Sequence, residues 1–170
     1  MKNKILKKKN LRIIFQWKCE RGKAMFLLTY DIYMSEEKIK GILPQAQIKM
    51  RCLLNGYGLK FFNQVLGLIK SDLDMCVPAV IWNIEENKND IVKIEEVYPK
   101  ESYDKSYFHI KIDDKYVNDD IVTVVYIPKN TVTMFPRNEY IEDIIKVYEE
   151  NNFDFCYIEY ALDNAEQERR

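Results

Sequence analysis

Three apolar runs constrain the fold of this chain more than anything else in it. Phe26–Tyr33 reads Phe-Leu-Leu-Thr-Tyr-Asp-Ile-Tyr, rich in aromatic and branched residues and without helical spacing, which predicts a strand buried on both faces. Val77–Ile84, containing Trp82, predicts a second strand, and the β-branched run Ile121–Ile127 a third. Tyr107–Ile112 alternates in polarity and is expected to pair antiparallel with Ile121–Ile127, with Asp113-Asp114 to Asp119-Asp120 as an acidic loop between them. Asn55-Gly56, between Gln47–Leu54 and Tyr57–Phe62, predicts a hairpin, because both residues tolerate positive φ. The stretch from Val65 to Met75 reads as an irregular connection.

Helical signals separate and follow these strands. Ser35 is placed to cap a short helix with Glu36 and Glu37 in its first turn, closed by Pro44. Asn89 or Asp90 is placed to cap a turn carrying Ile91 and Ile94 on one face, ended by Pro99, with Glu95 and Glu96 just beyond it. Asn138–Glu150 and Asp154–Asp163 each repeat apolar residues at helical spacing. The expectation is an α+β domain in which a small, strongly bent mixed β-sheet, barrel-like, is covered by a few helices.

Charge divides the chain in two. Residues 1–24 hold nine basic side chains against the single acid Glu20, a local charge of +8, although the 170-residue chain as a whole carries −1. Three readings of this extension stand open: an upstream stretch ahead of a true start at Met25, a basic arm for nucleic acid or anionic lipid, or a tail without function. The globular domain is residues 25–170. Leu11–Trp17 is far shorter than the roughly 20 residues a bilayer span needs and no cleavage site follows it, so a cytoplasmic protein without a membrane span is expected.

Histidine and cysteine narrow the chemistry. His109 is the only histidine and reads as a hydrogen-bonded structural residue; Cys19, Cys52, Cys76 and Cys156 are isolated and expected to be reduced thiols. Neither a zinc site nor a histidine-based triad is available, and the five glycines form no phosphate-binding loop, so no metal site is expected. The four aspartates of the acidic loop lack the glycine turn and terminal glutamate of a calcium loop. An acid or base must then be sought among carboxylates, Tyr, Lys and Cys. Glu95, hemmed in sequence by Ile94, Val97 and Tyr98, is the candidate in which desolvation would raise the pKa; the competing reading is an exposed Glu-Glu pair at a helix end.

The order of these segments resembles the gamma-glutamylcyclotransferase family across nearly all of the chain after Met25. Phe26–Met34 stands where members carry a strand ending in Tyr-Gly-Ser-Asn-Met/Leu. Ser35 through Pro44 and Ala46 matches a Ser-led helix closing on Pro-x-Ala, and Leu54, Gly56, Tyr57, Leu59 and Phe61 match Leu-x-Gly-Tyr-x-Leu-x-Phe. Val77–Trp82 is similar to Val-x-Gly-Val-Val-Trp, and Ile91–Val97 to Leu-Asp-x-x-Glu-Gly-Val, which places the family's catalytic glutamate at Glu95. Pro136–Tyr140 and Asp154–Leu162 resemble the two closing helices.

The resemblance implies a pocket at the rim of the fold and cyclisation of a γ-glutamyl group to 5-oxoproline, with release of an amine or amino acid and no cofactor. Glu95 would be the acid/base. The loop Tyr30, Asp31, Ile32 and Tyr33 would hold the substrate carboxylate on its amides, and Tyr103 resembles a pocket tyrosine, one residue further along than the pattern. The chain departs from the family where Gly-Ser-Asn has become Asp31-Ile32-Tyr33, and where glycines have become Glu96, Ala79 and Tyr148. Asp31 adds negative charge where a carboxylate should dock. The resemblance therefore leaves two functions open: an active enzyme of altered substrate preference, or a catalytically inactive relative that binds a ligand or a protein.

Overall fold

A computed structural model describes residues 24–71, 74–85, 87–114 and 117–168. The basic extension, apart from Ala24, lies outside them. Strand β1 (Ala24–Thr29) runs antiparallel to β5 (Cys76–Glu85) and parallel to β7 (Val117–Pro128). Outside these lie β2 (Gln47–Asn55) on β5 and β6 (Tyr103–Asp114) on β7, giving a five-stranded mixed sheet in the order β2-β5-β1-β7-β6. Its central position explains the run read from the sequence, for Leu27, Leu28 and Thr29 are all buried. The sheet does not close into the barrel-like form expected, since β2 and β6 each pair on one side only.

A two-stranded ribbon of β3 (Tyr57–Phe62) and β4 (Val65–Lys70) packs over β5 and β7. This corrects two expectations. Asn55-Gly56 does not join a hairpin: β2 pairs with β5 and β3 with β4, and Gly56, at φ 78°, is the corner at which the chain leaves one sheet for the other. The hairpin turn is Asn63-Gln64, with both residues at positive φ (48° and 71°), as a tight hairpin requires. Val65–Lys70, expected as an irregular connection, is the return strand. Gly67 in it is a close-approach residue, because a Cβ there would lie 2.4 Å from the Phe62 ring.

Helix α1 (Glu36–Ile42) follows Ser35, whose backbone position is that of a cap although its side chain makes no capping bond. Helix α2 (Lys88–Val97) starts one turn earlier than expected, because Asn87 accepts the N–H of Asp90 at 2.9 Å, so Glu95 and Glu96 lie inside the last helical turn. Helices α3 (Asn138–Asn151) and α4 (Cys156–Glu168) agree with the sequence periodicity. The β6–β7 pair forms as expected but is longer, with Asp113, Asp114, Asp119 and Asp120 in the ladder. His109 is exposed on the edge strand β6. Cys52, Cys76 and Cys156 are free thiols. No helix among the described residues is long and apolar enough to cross a membrane.

Candidate functional site

The parallel strands β1 and β7 end side by side, and the residues beyond β1 turn across that end. Asp31 begins a short 3-10 turn, Ile32–Met34, which leads into α1. The turn is anchored on both sides. The Trp82 indole N–H donates to Thr29 Oγ1 at 2.9 Å, and that hydroxyl donates to the Tyr33 carbonyl at 3.2 Å, so a fully buried tryptophan fixes the loop through one hydroxyl. On the far side the Asn151 amide donates to the Met34 carbonyl at 3.1 Å and accepts from Arg51 Nε at 2.8 Å.

The centre of this rim is the carboxyl of Asp31, only 8% exposed. The Tyr33 N–H donates to Oδ1 at 2.9 Å. The Tyr98 hydroxyl donates to the same group, 2.9 Å from Oδ2 and 3.1 Å from Oδ1. Burial pushes the carboxyl up from 3.8 to about 6, opposed by the Tyr33 N–H, the Tyr98 hydroxyl and its own N–H, all of which favour the ion. No Lys, Arg or His pairs with it among the described residues.

Tyrosines from several elements surround it. Tyr98, at the end of α2, stacks on Tyr126 of β7 (centroids 4.9 Å apart, planes 6° apart) and meets Tyr33 and Tyr103 edge-on at 5.6 and 5.2 Å. The Tyr30 hydroxyl donates to the Tyr126 carbonyl at 2.9 Å, and the Tyr140 hydroxyl accepts the Leu66 N–H. Burial raises the pKa of Tyr30, Tyr33, Tyr98, Tyr103 and Tyr140, and the charge of Asp31 adds to it in each. All five are therefore neutral donors or acceptors near neutral pH. Beside the cluster a cleft of about 700 Å³ is lined by Phe62, Val65, Val97, Pro99, Tyr103 and Pro128, with Glu96, Glu101 and Lys129 among its polar members.

Glu95 stands at the edge of this array. Its side chain is 48% exposed, with Oε1 3.8 Å from Lys105 Nζ, so the helix turns it to solvent instead of enclosing it among Ile94, Val97 and Tyr98. Lys105 Nζ lies 6.0 Å over the Tyr126 ring, whose hydroxyl pKa is pushed up to about 12 by burial and by the Glu95 charge. Its neighbour Glu96 lines the cleft. The structure thus gathers Tyr30, Asp31, Tyr33 and Tyr103 round one point, leaves Ile32 half-buried in the turn, and links Glu95 to them only through Lys105 and the Tyr126–Tyr98 stack. Sequence reasoning missed Tyr98 and Tyr126 as site residues. Tyr98 stood out only as an apolar neighbour of Glu95, and Tyr126 was one residue in a strand.

No protein-family profile matches the sequence, and no curated protein matches it. Solved structures do. A structure described as gamma-glutamyl cyclotransferase superimposes with a TM-score of 0.68 at 18% identity, covering 82% of this chain and 86% of that one. An uncharacterized protein from Homo sapiens matches equally, at 0.68 and 18%, over 81% and 86%. An AIG2-like protein from Mus musculus matches at 0.50 and 13%, over 69% and 82%. The open mixed sheet, its covering helices and the rim site between them accordingly belong to a chain with the gamma-glutamyl cyclotransferase-like fold.

Proposed function

We propose that this chain is a small-molecule-binding protein on a gamma-glutamyl cyclotransferase-like fold, in which Asp31 fills the carboxylate position of the first loop and cyclisation of γ-glutamyl compounds is lost. One observation carries the reading: the Tyr33 N–H, a donor of the loop that would receive a substrate carboxylate, is already donated to Asp31, and the Tyr98 hydroxyl joins it there. A second carboxylate brought to about 4 Å from Asp31 meets a repulsion of about 4 kcal/mol at an effective dielectric near 20, roughly three decades of affinity.

A second reading rests on Glu95, whose half-exposed carboxylate stands in the last turn of α2, 3.8 Å from Lys105 Nζ. Here Glu95 takes a proton from the substrate's ammonium, the freed amine attacks the γ-carbonyl, and the same group returns a proton to the leaving nitrogen, giving 5-oxoproline and an amine or amino acid. The amides of Tyr30–Tyr33 and the Tyr103 hydroxyl hold the substrate, and no cofactor takes part.

Incubating the full chain and its Glu95→Gln and Asp31→Gly variants with γ-glutamyl amino acids and γ-glutamyl amines, and assaying 5-oxoproline, separates the two. The binding reading expects no product from the wild type. Release by the wild type, lost by about 10²-fold or more in Glu95→Gln, establishes the enzyme instead.

A further inference from the structure

We infer that Asp31 and the tyrosine rings around it form a receptor for a small primary alkylammonium ion. This deepens the binding reading above and rests on it.

The argument begins with an incomplete salt bridge. A carboxylate offers about four acceptor directions. Asp31 receives the Tyr33 N–H on Oδ1 and one hydroxyl proton from Tyr98 that its two oxygens share, so Oδ2 retains lone-pair directions without a donor of its own. Buried charges are ordinarily paired, because an unpaired one is costly to desolvate. Asp31 is 8% exposed and has no cationic partner among the described residues. An ammonium group supplies what is missing, with three N–H donors and one positive charge. A carboxylate, a phosphate or a neutral alcohol supplies less or is repelled.

The surroundings favour the same ion. Neutral tyrosine rings attract cations through their π faces, and Tyr33 and Tyr103 stand in T-shaped contact with Tyr98, the ring whose hydroxyl holds Asp31. The fold already shows this chemistry one ring away, where the Lys105 ammonium sits over Tyr126, the stacking partner of Tyr98, and within 3.8 Å of the Glu95 carboxylate. Tyr103 also lines the neighbouring cleft, whose walls include Val65, Val97, Pro99 and Pro128. An alkyl stem of a few carbons can lie on that apolar surface while its ammonium turns to Asp31.

The test is an NMR titration of the full chain with butylammonium chloride, read at the Tyr33 amide, with sodium butyrate and sodium chloride at matched ionic strength as controls. The expected result is a saturable shift with butylammonium alone, weakened at least about tenfold in Asp31→Asn. That variant keeps an acceptor for the Tyr33 N–H, and its folding is verified by the dispersion of the same spectrum. The proposal is overturned by equal affinity in Asp31→Asn, by butyrate binding as well as butylammonium, or by a shift that never saturates. Release of 5-oxoproline by the wild type would remove the underlying reading and leave this titration to stand or fall on its own.

Discussion

Replacing Asp31 by Asn should stabilise the protein, by an amount that depends on pH. The folded carboxyl titrates at about 6 against 3.8 when unconstrained, so between those values the folded state binds more protons than the unfolded state. Stability then falls as pH rises through this window, the opposite of a salt-bridged aspartate. With those two values, ionising Asp31 costs little at pH 4, rises steadily to pH 6, and levels off on the order of 3 kcal/mol by neutral pH. Asn removes the charge while its Oδ1 still accepts from the Tyr33 N–H and its amide faces the Tyr98 oxygen, so most of the local hydrogen bonding survives. The tyrosines facing Asp31, namely Tyr30, Tyr33, Tyr98, Tyr103 and Tyr140, all have raised pKa values and are silent over this range. Urea unfolding of both proteins at pH 4, 5, 6 and 7 should therefore show curves that nearly meet at the acid end and separate steadily toward neutrality, with the variant more stable. A gap independent of pH, or a wild type more stable at pH 7, would show that the donors on Asp31 outweigh its desolvation and would refute the reasoning.

Two further substitutions test the packing that shapes the rim. Tyr148 is fully buried, stacked on Phe155 and edge-on to Phe153, and its hydroxyl has no partner among the described residues. Tyr148→Phe removes a desolvated donor without opening a cavity and should raise stability by about 1 kcal/mol in urea unfolding; a loss of that size would mean the hydroxyl is satisfied. Gly67→Ala places a methyl carbon 2.4 Å from the Phe62 ring, a contact the ring must yield to. Because Phe62 lines the cleft, this variant should lose about 1–3 kcal/mol and also shift the NMR signals of cleft residues such as Tyr103, whereas an unchanged midpoint would show that the ribbon separates without cost.

What the sequence disclosed and what it concealed follow from the range of the interactions involved. The central strand was legible because burial on both faces leaves a continuous apolar run, and α3 and α4 because a helix repeats its apolar face along the chain. Asn55-Gly56 misled because the dipeptide reports only that positive φ is tolerated; pairing is decided by which strands bury against which, and only Gly56 of the two uses the left-handed region. The stretch from Val65 read as an irregular connection for a related reason, since a glycine made necessary by an aromatic ring across the ribbon, as Gly67 is, looks the same in sequence as one in a loop. Of the two readings of Glu95, enclosed among its apolar sequence neighbours or exposed at a helix end, the exposed one holds, because a helix rotates successive residues by about 100° and the turn that buries Ile94 carries Glu95 toward solvent.

Asp31 shows the limit most clearly. From sequence it was a negative charge set where a negative group should dock, an obstacle only. Whether such a residue blocks a site or remakes it depends on what its oxygens meet, and here they meet one amide two residues away and one hydroxyl 67 residues away. Tyr98 can reach the carboxyl because α2 ends against the rim, and its ring is held there by Tyr126 from β7 and flanked by Tyr103 from β6. A carboxylate enclosed by neutral rings, given donors but no cation among the described residues, carries a standing electrostatic deficit. That deficit is what connects the destabilisation expected near neutral pH with the ammonium ion proposed to relieve it, since a bound cation would hold Asp31 ionised and narrow the pH-dependent gap between wild type and Asp31→Asn.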